Sequence, residues 1–438
     1  MNNNLQKYTN YKPSGVEWLG EIPEHWEVKK LKYLLNGKLK YGANESGIEY
    51  DISLPRYVRI TDFGFNGKLS ETNKLSLSWQ QGGNYLLKDG DILFARSGAT
   101  VGKTYQFKKS MSIESNYCYA GYLIKAETDE KKILSDFLYL YTNSDFFNRW
   151  KDSIFIKATI ENIGADKYSQ LIIPIPPLTE QTRIAEFLDR KTAQIDQAIT
   201  IKEKQIALLK ERRQILIHRA VTRGINPDVK LKPSGVEWIG DIPEHWEVKK
   251  LKYILIERNE RSVAGDEPLL MMSQIHGLVV RSDFHEKAEV AQSSVGNKLV
   301  YKEDLVFNKL KAHLGVFFKS SIPQTGIVSP DYAVYYSNGK IKDLKFLEVL
   351  FKSPSYIREF ICRATGIVEG LIRLYTGDLF DISVPVPPKS EQSLILEHIE
   401  NISEKIATAI TLKEQEIEKL KEYKSTLINS AVTGKIRV

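Results

Sequence analysis

The amino-acid sequence predicts an α+β protein, with two mixed α/β blocks joined by two long antiparallel helices in a pseudo-twofold internal repeat. Three observations predict it. A segment of 24 residues occurs twice, 220 positions apart. Each copy is followed by a block of dissimilar sequence that ends at a double proline. After each double proline comes a long segment with one apolar stripe at helical spacing. The boundaries follow: a first block over 1–172, a helix over 173–222, a linker and second block over 223–383, and a distal helix over 384–438.

The repeated head reads KPSGVEWLGEIPEHWEVKKLKYLL from Lys12 and KPSGVEWIGDIPEHWEVKKLKYIL from Lys232. The copies differ only at Leu19/Ile239, Glu21/Asp241 and Leu34/Ile254. In the first block, residues 57–63, 90–96, 103–109 and 119–126 read as strands, and 133–152 as a helix. In the second, 304–310, 315–320 and 331–337 read as strands, and 343–364 as a helix broken near Pro354.

Each long segment has a start and a stop. Pro176-Pro177 and Pro387-Pro388 forbid helix before them. Thr179 and Ser390 are the expected N-caps, with Glu180 and Glu391 in the first turn, where a negative charge is favoured. The apolar stripe runs through Ile184, Leu188, Ile195, Ile199, Ile206, Leu209, Leu216 and Ala220. In the second segment it runs through Ile395, Ile399, Ile402, Ile406, Ile410, Ile417, Leu420, Leu427 and Ala431. Gly224 and Gly434 stand just past the ends. Each helix holds about 44 residues, roughly 65 Å.

A helix with one apolar stripe needs a partner, and the other copy supplies it. Residues 179–222 carry nine Lys/Arg against six Asp/Glu; residues 390–433 carry five Lys against eight Glu. Opposite net charge favours pairing the two helices over self-pairing of either. Only nine residues (223–231) join the first helix to the second head, so an antiparallel pair avoids a long return loop. The expected product is a coiled-coil rod with a variable block at each end.

Composition sets outer bounds. The chain has 438 residues, 42% of them hydrophobic and 27% charged, enough for two or three real cores. No 18-residue apolar run exists, which predicts no membrane span. The N-terminal MNNNLQKYTNYKPS lacks a signal-peptide core. Cys118 and Cys362 are far apart, which excludes a disulfide framework or CxxC site and fits a reducing cytoplasm. The formal charge of +7 is weak support for a nucleic-acid partner. The histidines at 25, 218, 245, 276, 285, 313 and 398 show no zinc spacing, so no metal is expected.

IPIPPLTEQTRIAEFLD from Ile173 and VPVPPKSEQSLILEHIE from Val384, with the two heads, resemble the specificity subunit of type I restriction-modification systems. The Pro-Pro-x-x-Glu-Gln pattern, doubled at this spacing, carries the resemblance; Lys389 departs from the usual leucine. The resemblance implies that the variable blocks are target recognition domains. Each would read one half of an asymmetric, split double-stranded DNA site, and the helices would set the gap. It implies a non-catalytic chain with no cofactor of its own, binding two modification subunits that carry S-adenosylmethionine. Restriction subunits that use ATP and Mg would join. A doubled surface suits two copies of one partner, and duplication alone would also produce near-identical heads. Trp18, Trp26, Trp238 and Trp246, with Glu180, Gln181, Glu391 and Gln392, are the candidate partner-binding residues.

Candidate DNA-contacting residues follow from readout chemistry: Arg or Lys for guanine or phosphate, Asn for adenine, Ser or Thr for phosphate. In the first block these are Arg59, Arg96, Lys103, Lys157 and Thr159. In the second they are Asn308, Lys309, Lys311, His313, Arg363, Thr365 and Arg373. ARSGATVGKTYQF, from Ala95, imitates a phosphate-binding loop, but Gly98 and Gly102 enclose three residues rather than four and a strand follows. It reads as a glycine turn; a nucleotide-binding enzyme using Gly98–Thr104 is a rival reading, and a coiled-coil adaptor without DNA readout is another. Methyltransferase signatures are absent, since Ile175 and Val386 precede the double prolines rather than Asn or Asp.

Overall fold

The computed structural model describes residues 6–64, 67–98, 100–155, 162–284, 294–366 and 372–438, without the side chains of residues 155, 312 and 313. The chain forms two compact units. The first comprises Met1–Lys202 with Glu414–Val438, and the second Glu203–Lys413. The division falls inside both long helices, so each unit contains the start of one and the end of the other.

Both units are built on the same frame. In the first, the head forms a hairpin of Tyr11–Pro13 and Glu21–Pro23. Its next strand, Glu27–Lys30, pairs antiparallel with Ile172–Ile175, just before the double proline. The second unit repeats this with Leu231–Pro233 on Asp241–Pro243 and Glu247–Lys250 on Ser383–Val386. Each variable block therefore leaves and returns through one two-stranded ribbon.

The blocks themselves are α+β, as the sequence predicts. In the first unit, strand Ile92–Ala95 lies between Leu123–Ala126 and Thr104–Gln106, with Lys40–Tyr41 at the edge. A second sheet is led by Arg56–Val58 and Tyr117–Tyr119. In the second unit, Leu305–Asn308 lies between Tyr332–Ser337 and Phe317–Lys319. These central strands are buried throughout, which is why they read as continuous apolar runs. The break at Pro354 is present: helices Lys345–Leu350 and Pro354–Arg363 flank it. The helix expected over 133–152 is also broken, into Ser135–Thr142 and Asp145–Phe155. Asn143 and Ser144 cause it, because their side chains donate to the carbonyls of Tyr139 and Tyr141 and compete with the helical ladder. Likewise 57–63 is strand only to Val58 and then a 3₁₀ turn, Ile60–Asp62.

The long helices span Leu178–Arg223 and Lys389–Val432, 46 and 44 residues. They start one residue before the expected caps. The carbonyl of Pro177 accepts from the amides of Glu180 and Gln181, and Pro388 from Gln392. The proline, with its fixed φ, thus takes the capping position, and Thr179 and Ser390 lie inside the first turn. Within the first unit the two helices run antiparallel: Asp196 pairs with Lys424 at 2.6 Å and Lys202 with Glu416 at 2.5 Å. Their apolar stripes share that unit's core through Ile184, Leu188, Ile195, Leu427 and Ala431. In the second unit Ala220 and Val221 meet Ile395 and Ile399 in the same way.

Both helices stop at a left-handed glycine, Gly224 at φ +76° and Gly434 at φ +71°. At Gly434 an added Cβ would sit 2.3 Å from Pro23 Cδ, whereas at Gly224 it would meet the flexible Glu391 carboxylate at 3.0 Å. Gly434→Ala should therefore destabilise the first unit by at least ~2 kcal/mol, and Gly224→Ala the second by ~1 kcal/mol, the left-handed penalty alone. Chemical denaturation of the two variants checks the order.

Candidate nucleic-acid interface

The frame that carries any interface is fixed at two junctions. In the first unit Trp26 is fully buried, and its indole N–H donates to Glu180 Oε2 at 3.1 Å. His25 Nε2 lies 2.9 Å from the same oxygen, and the Tyr8 hydroxyl donates to Oε1. Burial and this carboxylate raise the Tyr8 pKa, so its hydroxyl stays a donor. Gln181 is fully buried beside it. Its oxygen accepts from the Leu134 amide at 2.8 Å, and its nitrogen donates to the carbonyls of Pro176 and Lys132. The second unit repeats the set. Trp246 and His245 reach Glu391 Oε2 at 2.9 and 2.7 Å. Gln392 accepts from the Lys342 amide and donates to Pro387 and Lys340.

The six residues expected at a partner surface, Trp26, Trp246, Glu180, Gln181, Glu391 and Gln392, all have partners within the chain. Their polar groups are used up inside the chain, tying head, helix start and variable block together. Trp18 and Trp238 are half-buried against the same cores, with Trp238 edge-on to Tyr356 at 4.8 Å. The repeat explains these residues by internal packing.

The candidate DNA residues fall into three groups. One group is committed to contacts inside the chain. Arg59 grips Asp62, with Nη2 to Oδ1 at 3.0 Å, and donates to the Asn73 carbonyl. Arg363 pairs with Glu359 at 2.6 Å. Both partners are visible as i+3 and i−4 neighbours in the sequence. Lys103 donates to the Phe63 carbonyl at 2.7 Å. A second group, Lys157, Thr159 and the His313 side chain, lies outside the described residues.

The third group marks equivalent places in the two units. Strand Ile92–Ala95 ends at Arg96, whose carbonyl accepts from the Ile163 amide at 2.8 Å. Strand Leu305–Asn308 ends at Lys309, whose carbonyl accepts from the Leu374 amide at 3.1 Å. The backbone match makes Arg96 and Lys309 counterparts, and Asn162 and Arg373 likewise. Around Arg96, the guanidinium lies over the Tyr41 ring at 5.1 Å and Nε donates to Asn162 Oδ1 at 3.3 Å. Around Lys309, Arg373 and Thr365 exchange backbone hydrogen bonds at 2.8 Å, and Arg373 reaches Asp331 at 3.4 Å. Burial lowers the Lys309 pKa, and Lys298 and Arg373 add to it against Glu257 and Asp331. Asn308 is buried and its oxygen accepts from the Leu310 amide, so it shapes the turn. Lys311 is exposed, with non-helical φ/ψ in the following turn. Sequence reasoning missed Tyr41, Asn162 and Asp331, which have no local signature.

The segment that imitates a phosphate-binding loop is a β-hairpin. Strands Ile92–Ala95 and Thr104–Gln106 pair antiparallel, and Gly98 and Gly102 adopt φ of +80° and +81°. No helix N-terminus follows to hold phosphate. Sequence reasoning also overlooked a buried cation, Arg56, which is structural. It pairs with Glu114 at 3.2 Å and Glu71 at 3.0 Å, and Lys74 joins at 3.1 Å from Glu114. Burial alone would raise the Glu114 pKa, but the Tyr117 hydroxyl, Lys74 and Arg56 outweigh it and lower it to about 2. A depressed carboxylate stabilises the fold above its unfolded pKa and loses that contribution as pH falls through the folded value. Acid titration from pH 5 to pH 2 should thus cost the first unit up to ~3 kcal/mol, and Glu114→Gln should flatten that slope while lowering stability at neutral pH. Unfolding curves across this range check both.

Two unlike blocks on one doubled frame define a scaffold that presents different side chains from equivalent places. Residues 23–211 match the family described as Type I restriction modification DNA specificity domain. The chain is 26% identical to the type I restriction enzyme MjaVIII specificity subunit of Methanocaldococcus jannaschii, over 95% of this chain and 94% of that one. It is 27% identical to the EcoKI specificity subunit of Escherichia coli, over 90% and 85% of the two chains. Its fold is similar to a chain from a type I restriction-modification system solved to explain complex assembly and conformational transition. The TM-score there is 0.67 at 14% identity, covering 94% of this chain and 98% of that one. The HsdS subunit from Thermoanaerobacter tengcongensis gives 0.55 at 14% identity, with 95% and 98% coverage. The similarity to type I specificity subunits extends along most of the chain, and the family match itself covers residues 23–211. Among the described residues no helix is long and apolar enough to cross a membrane.

Proposed function

We propose that this chain is the DNA-recognition subunit of a type I restriction-modification complex and performs no catalysis itself. Each variable block reads one half of an asymmetric, bipartite double-stranded site. The long helices, shared by both units, set the separation of the halves. The doubled frame offers equivalent places to two modification subunits, which carry S-adenosylmethionine. Restriction subunits with ATP and Mg complete the cutting form, and the whole works in the cytoplasm.

One observation carries the reading: the backbone positions that hold Arg96 and Lys309 are equivalent, while the side chains around them differ. A frame that only stiffened a complex would have no use for unlike cations at matched strand ends. Arg suits bidentate contact with a guanine edge, and Lys a point contact with base or phosphate. Lys309, crowded by Lys298 and Arg373, gains from an approaching anion. Dissimilar blocks imply a target without palindromic symmetry.

Methylation mapping of cells that express single variants tests it. Arg96→Ala should weaken methylation through one half-site by roughly 5- to 150-fold, the cost of one base or phosphate contact, and leave the other half-site unchanged. Lys309→Ala should do the reverse. Equal effects on both halves, or none on either, would refute the assignment.

A further inference from the structure

The two heads share more surface than their packing demands. In the first, the 3₁₀ turn Leu31–Tyr33 buries Leu31 and, one residue on, Leu34, and turns Lys32 and Tyr33 outward. Tyr33 is 59% exposed and its counterpart Tyr253 is 57% exposed. Lys32 lies over the Tyr33 ring at 4.9 Å, and Lys252 over Tyr253 at 5.6 Å. Lys30 and Lys250 flank them, also exposed. Buried leucines explain their own repetition; an exposed tyrosine beside exposed lysines has no such packing to explain its own.

The face is basic in both units. In the second, Lys249, Lys250, Lys252, Tyr253 and Lys340 line one open groove. Lys249 lowers the pKa of Lys340, the mark of like charges held close. Asp381 answers two of these cations, pairing with Lys250 and Lys252 at 3.1 Å. The backbone equivalence of Leu171 and Ile382, each accepting from the first residue of the 3₁₀ turn, makes Gln170 the counterpart of Asp381. The first head lacks that carboxylate but carries another, Asp129, where the second has Asn338, each amide donating to the residue after the 3₁₀ turn, and Asp129 pairs with Lys132 at 2.8 Å.

Position distinguishes this face from the reading positions. Strand Tyr332–Ser337 begins opposite Asn308 and ends opposite Leu255, beside the second head. Five residues at about 3.4 Å put the two ends ~17 Å apart. In the first unit, strand Leu123–Ala126 begins opposite Ala95, and beyond its far end the carbonyl of Glu127 accepts from the amide of Asn36, the residue just after the head. The Lys-Tyr face thus lies at the root of each block, and Arg96 and Lys309 at the opposite end. The reading end and the root are therefore separate places on each block, and the root is the one continuous with the repeated frame.

We propose that the faces Lys30–Lys32–Tyr33 and Lys250–Lys252–Tyr253 are docking sites for an acidic, Asp/Glu-rich segment of a partner polypeptide, one copy on each head. This rests on the reading of two identical modification subunits given above and names where each is held. The lysines meet the carboxylates, and the exposed tyrosine supplies the apolar anchor that a charged rim lacks.

Native mass spectrometry of the full chain co-expressed with its modification subunit tests this. The wild type should carry two copies. Charge reversal K30E/K32E should remove one copy, K250E/K252E the other, and the combined variant both, with the affinity of the altered head falling by about tenfold or more. Tyr33→Ala and Tyr253→Ala should act in the same direction, and all these residues are exposed, so the fold should persist by thermal unfolding. Retention of both copies at unchanged affinity overturns the proposal. So does a result in which both copies stay but DNA affinity and its salt dependence drop, because the face then serves phosphates. If the wild type itself carries no modification subunit, the partner reading fails, and the docking face with it.

Discussion

The indole of a fully buried tryptophan, held by a glutamate in the first turn of a long helix, is the contact on which each unit depends. The glutamate is placed where backbone amides point outward and negative charge is stabilised. It draws in the head through Trp26 and His25, or Trp246 and His245. The same head closes over the glycine that ends the other long helix: Pro23 and Trp26 sit against Gly434, and Pro243 and Trp246 against Gly224. Three segments therefore meet at one point in each unit, all of them far apart in sequence in the first unit, and in the second the start of the distal helix far from the other two. The start of one helix, the end of the other and the head cannot be moved independently.

That constraint frees the rest of each unit to vary. A variable block enters and leaves through one ribbon, head strand against the strand before the double proline. Gln181 and Gln392 then pin the block to the helix through main-chain groups alone: Leu134 N and Lys132 O in one unit, Lys342 N and Lys340 O in the other. Main-chain contacts ask nothing of the block's side chains. Blocks of unlike sequence can hang from identical fittings, and the end of the central strand arrives at the same place with Arg96 in one and Lys309 in the other.

Much of this was legible in the sequence because it is periodic or local. The stripe from Ile184 to Ala220 and its copy announce the long helices, and Gly224 and Gly434 their ends. Pro354 announces the break in its helix. The antiparallel run follows from the short link after Arg223, and the pairs Asp196–Lys424 and Lys202–Glu416 agree with it. Net charge alone was too coarse, since the two pairs have opposite polarity and exposed pairs contribute little. The side-chain roles were the least legible. Arg59 and Arg363 look like free cations until Asp62 and Glu359 are placed beside them at helical spacing. Asn162 and Arg373 become counterparts only through the backbone hydrogen bonds that the residues after them, Ile163 and Leu374, donate to Arg96 and Lys309, which no spacing in the sequence records.

Repetition in a chain has two physical causes, and the head contains both. Trp26 and Trp246, Gln181 and Gln392 recur because a buried polar group without its partner costs 1–3 kcal/mol, so the same junction must be built from the same atoms twice. Their exposure is near zero, and the recurrence is complete without any outside molecule. Tyr33 and Tyr253 recur at more than half exposure, where packing places almost no demand on side-chain identity. From sequence alone the two kinds are indistinguishable, and aromatic content points to the tryptophans as the contact surface. Burial reverses that order: the tryptophans hold the frame together, and the tyrosines, with the lysines beside them, are the part of the repeat turned outward.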